Sequence, residues 1–219
     1  MARFYLVRHG HTEWTREKRL QGQTDVPLSQ EGLDQAQAAA SHLAETRFNA
    51  AYTSDLSRAL VTAELVLAEQ PEQAPELIIN RDLREISDGT YEGWLFIRAV
   101  AKDPRLVERT QDGLPVPDFT PPEGESIAQL YQRQQAVAAL LRCHRPDDQV
   151  LVVGHGWALR ALAAALLGEG PEGFWKRQSP LPCSVSILDD QQGTASVVAW
   201  GDTAHLAGLI SLPTNQEAP

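Results

Sequence analysis

Residues 149–156, QVLVVGHG, restrict the folds open to this chain more than any other stretch. Val150, Leu151, Val152 and Val153 follow one another without polar alternation, so a strand here needs apolar cover on both faces. Strands of that kind lie inside parallel sheets sandwiched between helices. The next segment agrees, because WALRALAAALLG (157–168) reads as a helix ended by Gly168 and Pro171.

The same two hydrophobic periods alternate along the rest of the chain. RFYLV (3–7) predicts a strand. LSQEGLDQAQAAASHLAE (28–45) predicts a helix capped by Ser29, with Leu33, Ala36, Ala40 and Leu43 on its inner stripe. FNAAYTSD (48–55) predicts a short strand that hands over, with Ser54 as cap, to a helix over LSRALVTAELVLAE (56–69). Leu56, Leu60, Ala63 and Leu67 share one face of that helix. ELIINRDL (76–83) is apolar and β-branched, and SVSILDDQQGTASVVAW (184–200) predicts a hairpin turning near Asp190–Gly193. The expected fold is therefore α/β: a three-layer α/β/α sandwich with a mostly parallel central sheet and one antiparallel edge strand.

DGLPVPDFTPPEGES (112–126) carries four prolines and reads as irregular. The alternation of strands and helices continues across it, which makes it a loop within one domain rather than a linker. It leads into SIAQ (126–129), a capping-box pattern opening a helix that runs to about Cys143. Residues 1–212 are expected to form one domain, and the acidic, proline-containing residues 213–219 a disordered tail. A domain of that length buries enough apolar surface to stand without disulfides. Cys143 and Cys183 fit two free thiols in a reducing compartment.

A net charge of −10 argues against nucleic acid as a partner, because phosphate backbones are held by Lys and Arg. It does not argue against a small anion, since a few arginines dominate the potential inside a cleft. No targeting segment is evident. The longest apolar stretch contains Arg160 and falls short of a bilayer span, so a soluble, cytoplasmic protein is expected.

In open parallel sheets, ligands sit beyond the carboxyl ends of the strands. The first strand ends in Arg8, His9 and Gly10; the second leads to Arg58; the third leads to Arg84 and Glu85; the fourth ends in Gly154, His155 and Gly156. Taken singly, each has an ordinary reading: a surface arginine, a partly exposed histidine, a solvated carboxylate. His9 and His11 could also begin a zinc site, but no further closely spaced His or Cys accompanies them. Together the ordinary readings do not explain why all of them fall at strand ends.

Phosphoryl transfer through a covalent histidine uses such a set. Arg8 and Arg58 would clamp phosphate oxygens, and neutral His9 would attack phosphorus in line. His155 would hydrogen-bond the equatorial oxygens, with flanking glycines allowing close backbone approach. Glu85 would protonate the leaving alkoxide and then deprotonate the attacking water. No residue in this scheme holds a metal.

These motifs, in order, resemble the histidine phosphatase superfamily, also called phosphoglycerate mutase-like. The Arg8-His9-Gly10 triplet, QGQTDVPLSQEGLDQAQ (21–37), TSDLSRA (53–59), LREISDGTYEG (83–93), PPEGES (121–126), VVGHGWALRAL (152–162) and GDTAHL (201–206) carry the resemblance over nearly the whole chain. It implies a phosphohistidine at His9, Glu85 as the catalytic carboxylate, and no metal or organic cofactor. It also implies that Gln21, Gly22 and Thr24 help form the substrate pocket, and Thr15 and Gly156 are counted with them. Two positions depart from the family pattern. Thr15 stands where Asn is usual, and Asp88, where an aromatic or small apolar residue is common, adds negative charge close to Glu85.

Within the resemblance, the cofactor-dependent mutases carry a basic insertion after the acidic motif. Residues 94–120 here are short and place Trp94, Leu95 and Phe96 beside Arg98 and Lys102. The expected activity is hydrolysis of a small-molecule phosphate monoester by a monomer or homodimer. The alternative is a 2,3-bisphosphoglycerate-dependent phosphoglycerate mutase. Trp14, Tyr91, Trp94, Phe96 and Trp157 are either packing residues or the wall of a partly apolar pocket.

Overall fold

The computed structural model describes residues 1–70, 74–108 and 119–209. The chain begins with β1 (Ala2–Arg8), the one-turn helix α1 (Glu13–Arg16) and α2 (Gln30–Leu43). Next come β2 (Ala50–Thr53), α3 (Ser57–Ala68) and β3 (Leu77–Ile79). Two short helices, α4 (Phe96–Lys102) and α5 (Arg105–Glu108), precede α6 (Ile127–Leu141). The chain then forms β4 (Gln149–Gly154), α7 (Gly156–Leu166), β5 (Val185–Gln191) and β6 (Thr194–Asp202).

The strands join in one sheet of order β3-β2-β4-β1-β5-β6. β1, β2, β3 and β4 are parallel, while β5 runs antiparallel to β1 and β6 antiparallel to β5. The predicted hairpin thus supplies an antiparallel pair, of which β6 is the edge. Its turn places Gln192 and Gly193 at φ 53° and 86°, the paired left-handed geometry that tight hairpins need.

The continuous apolar run is covered on both faces, as its sequence requires: Val150, Leu151, Val152 and Val153 have no exposed surface. On one face Phe4, Leu6, Val150 and Val152 pack against Tyr131, Val137 and Leu141 of α6 and Leu159, Leu162 and Leu166 of α7. On the other, Tyr5, Val7, Leu151 and Val153 pack against Ala40 and Leu43 of α2 and Ala59, Ala63 and Val66 of α3. Helix, sheet and helix form the three layers. α6 starts at the predicted capping box: Gln129 N–H donates to Ser126 Oγ at 3.1 Å, and Ser126 N–H to Gln129 Oε1 at 2.8 Å.

Local pattern and tertiary packing part company in three places. Leu33 is exposed, and α2 turns Gly32 inward instead. A Cβ on Gly32 would lie 2.0 Å from the His11 carbonyl oxygen, and one on Gly10 would lie 2.4 Å from the Gly32 carbonyl oxygen. Gly10 and Gly32 therefore let the start of α2 press onto the loop after β1. β3 shrinks to three residues at the sheet edge, followed by a 3-10 turn over Arg81–Leu83. Ser54 does not cap α3, whose N-cap is Leu56. The expected tail, 213–219, and residues 112–118 of the proline-rich loop lie outside the described residues. Among the described residues, no helix is long and apolar enough to cross a membrane.

Candidate active site

The register of the two central strands brings the two histidines together. β1 and β4 pair in parallel with Arg8 opposite Gly154, and His9 N–H donates to the Gly154 carbonyl at 2.9 Å. The next residue of each strand is then a histidine at the same sheet end, and the rings of His9 and His155 lie 5.0 Å apart. β2 lies on the other side of β4, so Ser54 and the first turn of α3 reach the same place. A cavity of about 260 Å³ opens there, lined by Arg8, His9, Arg58, Glu85 and Gly156 among others.

His9 Nδ1 lies 2.7 Å from the Gly10 carbonyl oxygen. A carbonyl only accepts, so Nδ1 carries the proton and Nε2 keeps its lone pair. Burial, with Arg58 and Arg8 beside it, holds the His9 pKa well below the ordinary 6.5. The ring is neutral at pH 7, as a nucleophile must be.

Arg58 is fully buried, with its Nη1 donating to the Thr24 carbonyl and its Nη2 to the Gly22 carbonyl, both at 2.8 Å. Burial lowers its pKa to about 10, which leaves it cationic at neutral pH. Arg8 donates through Nη1 to the Pro180 carbonyl at 2.8 Å. Arg8 Nε, Arg58 Nε and His155 Nδ1 are buried and have no partner among the described residues. Native interiors seldom leave polar groups unpaired, so two such arginine nitrogens on cavity-lining residues, with a third on the His155 ring beside His9, mark a place for an anion with several acceptor oxygens.

Glu85 is held by backbone. Its Oε1 accepts from Ile86 N–H at 2.9 Å and Ala158 N–H at 3.1 Å, and its Oε2 from Trp157 N–H at 3.1 Å. His155, at the N-cap of α7, makes no side-chain capping bond. Glu85 thus supplies from outside the helix the acceptor its first turn lacks. At Gly156 a Cβ would meet Ser179 Oγ at 2.6 Å and Arg8 Cζ at 3.4 Å, so a glycine leaves the Arg8 guanidinium its seat.

The remaining predicted residues divide. Gln21 and Gly22 line the cavity. Thr15 does not: its hydroxyl receives Gln21 Nε2 at 2.9 Å and pairs with Thr12 Oγ1 at 3.1 Å in a capping box. Thr24 also stands back, holding Arg58 through its carbonyl while its hydroxyl donates to Glu92 at 2.6 Å. His11 turns toward Glu31, 3.7 Å away. Asp88 is buried at the cavity wall. Of the five aromatic candidates, Phe96 and Trp157 line the cavity. Tyr91 packs with Leu106 and Phe119 behind it, Trp14 sits against Gly93, and Trp94 is largely exposed. Ser54, Ser179 and Leu106 are site residues that no local pattern announced; Ser54 Oγ lies 2.7 Å from His155 Nε2. Among the described residues, no group of three or more His, Cys, Asp or Glu side chains is placed to hold a metal ion.

The site has a thermodynamic consequence. His155, like His9, is held well below 6.5 by burial and by Arg58. Below pH 6.5 the unfolded chain takes up protons that the folded chain refuses, so stability falls as pH drops from 6.5 toward the depressed values. The melting temperature is expected to decline between pH 7.5 and 5.5, and to decline less in His155→Asn. A melting temperature that rises on acidification across this window contradicts that reading of both rings.

Comparison with known proteins matches this geometry to named relatives. The family model described as histidine phosphatase superfamily (branch 1) matches residues 4–203. GpmB of Escherichia coli O1:K1, named as a probable phosphoglycerate mutase, is 33% identical over 215 residues, spanning 94% of this chain and 95% of that protein. Among solved structures, Bacillus stearothermophilus YhfR superposes with a TM-score of 0.82 at 32% identity, covering 94% of this chain and 100% of that one. The mycobacterial glucosyl-3-phosphoglycerate phosphatase Rv2419c, solved with VO3, superposes with a TM-score of 0.81 at 27% identity, covering 92% and 99%.

Proposed function

Because this chain belongs to the histidine phosphatase superfamily, branch 1, we propose that it hydrolyses small-molecule phosphate monoesters through a phosphohistidine at His9. The observation that carries the proposal is the pairing of a neutral His9, its Nε2 lone pair free, with unpartnered buried nitrogens on the cavity-lining Arg8 and Arg58 and on the His155 ring beside His9. Arg8, Arg58 and His155 hold the phosphoryl oxygens. His9 Nε2 attacks phosphorus, the bond to the ester oxygen breaks, and Glu85 gives that oxygen a proton. Glu85 then takes a proton from water as the water oxygen attacks phosphorus and the phosphorus–nitrogen bond breaks. His9 is restored and inorganic phosphate leaves. Every group in the cycle belongs to the chain, so no cofactor enters it.

The choice of hydrolysis over mutase chemistry rests on the rest of the cavity wall. Beyond the phosphate end it presents Leu20, Ile86, Phe96, Leu106 and Trp157. Its remaining cation, Arg19, is bonded to Glu17 and, at 2.8 Å, to the Gly93 carbonyl. Asp88 adds a second carboxyl group beside Glu85. Among the described residues, a leaving group bearing a carboxylate or a second phosphate finds there only the already partnered Arg19 as counter-charge, whereas an aryl or alkyl group finds apolar contact. Mutase activity dependent on 2,3-bisphosphoglycerate is the second reading, favoured by the name of GpmB.

The test is a panel of phosphate monoesters with chelator present. Aryl phosphates are expected to exceed phosphoglycerates in kcat/KM by about 10-fold or more, the scale of discrimination that apolar pockets achieve. Absence of phosphate release from every compound contradicts the proposal. Interconversion of phosphoglycerates that requires the bisphosphorylated primer establishes the second reading instead.

A further inference from the structure

We infer that Ser54 is a positioning residue that donates its hydroxyl proton to His155 Nε2 and so fixes His155 as the tautomer with its proton on Nδ1, facing the phosphoryl group. The inference rests on the reading above, in which His155 holds phosphoryl oxygens.

Ser54 and His155 form a buried pair whose donors and acceptors can be counted. Ser54 and His155 have no exposed surface, and Ser54 Oγ lies 2.7 Å from His155 Nε2. Ser54 Oγ also accepts, weakly, from Leu56 N–H at 3.4 Å. Among the described residues, no acceptor other than His155 Nε2 is in reach of the Ser54 hydroxyl proton. His155 Nδ1 is buried without a partner.

Two arrangements are open to the neutral ring. If Nε2 carries the proton, it donates to Ser54, and two groups are stranded: the serine hydroxyl proton and the Nδ1 lone pair. That lone pair would also face the phosphate oxygens and repel them. If Ser54 donates to Nε2, only the Nδ1 N–H lacks a partner, and a phosphoryl oxygen supplies it. An unmade buried hydrogen bond costs more than a made one returns, so the second arrangement prevails. The depressed pKa of His155 agrees, since a doubly protonated ring would need neither tautomer. His9 follows the same logic through a different partner: the Gly10 carbonyl accepts from Nδ1 and leaves Nε2 bare. One histidine is thus set as a nucleophile and its neighbour as a donor. A serine hydroxyl and a backbone carbonyl make the difference.

Long-range 1H–15N spectra of the 15N-histidine-labelled full chain, free of phosphate at pH 7.5, test this directly. The His155 signals are assigned by their loss in His155→Asn. The expected result is an unprotonated Nε2 and a protonated Nδ1 in the native protein. In Ser54→Ala both nitrogens move toward the average of two tautomers, and Ser54→Thr, which keeps the hydroxyl, restores the native pattern. Inhibition by inorganic phosphate is expected to weaken about 10-fold in Ser54→Ala, and kcat to fall more than KM rises. A protonated Nε2 in the native protein, or a tautomer unchanged in Ser54→Ala, overturns the inference. The spectra need no turnover. A chain that shows the expected tautomer yet hydrolyses nothing would refute the hydrolase reading while leaving the serine–histidine arrangement standing.

Discussion

His9→Ala is expected to lower hydrolysis by roughly four orders of magnitude or more, the scale seen when a covalent nucleophile is removed. The size follows from the geometry. His9 is the one histidine in the cavity wall among the described residues, and without its Nε2 water would have to displace the ester oxygen directly. Phosphate binding should survive, because Arg8, Arg58 and His155 keep their supports on Pro180, Thr24, Gly22 and Ser54. A variant that still binds inorganic phosphate within a few-fold of the native protein but no longer turns over separates chemistry from binding. Retention of more than about a tenth of native kcat with the variant shown to be pure would remove His9 from the nucleophile's role.

Glu85→Gln should produce the second largest loss, about 10²- to 10⁴-fold, the range for general acid–base catalysis. The loss depends on the leaving group. An alkoxide needs a proton as it departs, so alkyl phosphates should show the full effect. p-Nitrophenolate leaves without one, so phosphorylation of His9 by p-nitrophenyl phosphate should remain fast while hydrolysis of the phosphohistidine, which needs a base, becomes slow. Stopped-flow absorbance is then expected to show a burst of p-nitrophenolate, at most one per chain, followed by slow turnover. Equal loss for alkyl and aryl esters with no burst would contradict the assignment. Gln retains two of the three backbone hydrogen bonds and sets its amide against one backbone N–H. The resulting stability cost is about 1–3 kcal/mol, which a melting curve should register alongside the kinetics.

The layers and the candidate constellation at the sheet end could be read from local pattern for one reason. A parallel sheet places its ligands at strand C-ends, and Arg8, His9 and His155 sit directly at the ends of the two most apolar strands. What escaped the pattern depends on tertiary neighbours. Gly10 reads as a turn residue, yet its small size serves the approach of Gly32, twenty-two positions away. Ser54 reads as a helix cap, but Leu56 takes that place and the serine hydroxyl turns to the histidine that follows the neighbouring strand. Thr15 and Thr24 carry the right polarity for substrate contact and instead hold Gln21 and Arg58 from behind. Leu106 joins the cavity from α5, a four-residue helix too short to carry a periodicity, through its packing with Tyr91, Ala99 and Phe119.

Hydrolysis by this route passes through a covalent phosphoryl group on His9. Rapid quenching of the enzyme during turnover of a 32P-labelled monoester, followed by peptide mapping, tests it most directly. The expected label is lost in acid, survives alkali, maps to the peptide containing Arg8, His9 and Gly10, and increases in Glu85→Gln. Label on another residue, or hydrolysis that proceeds at the native rate with no acid-labile label at any quench time, would contradict it.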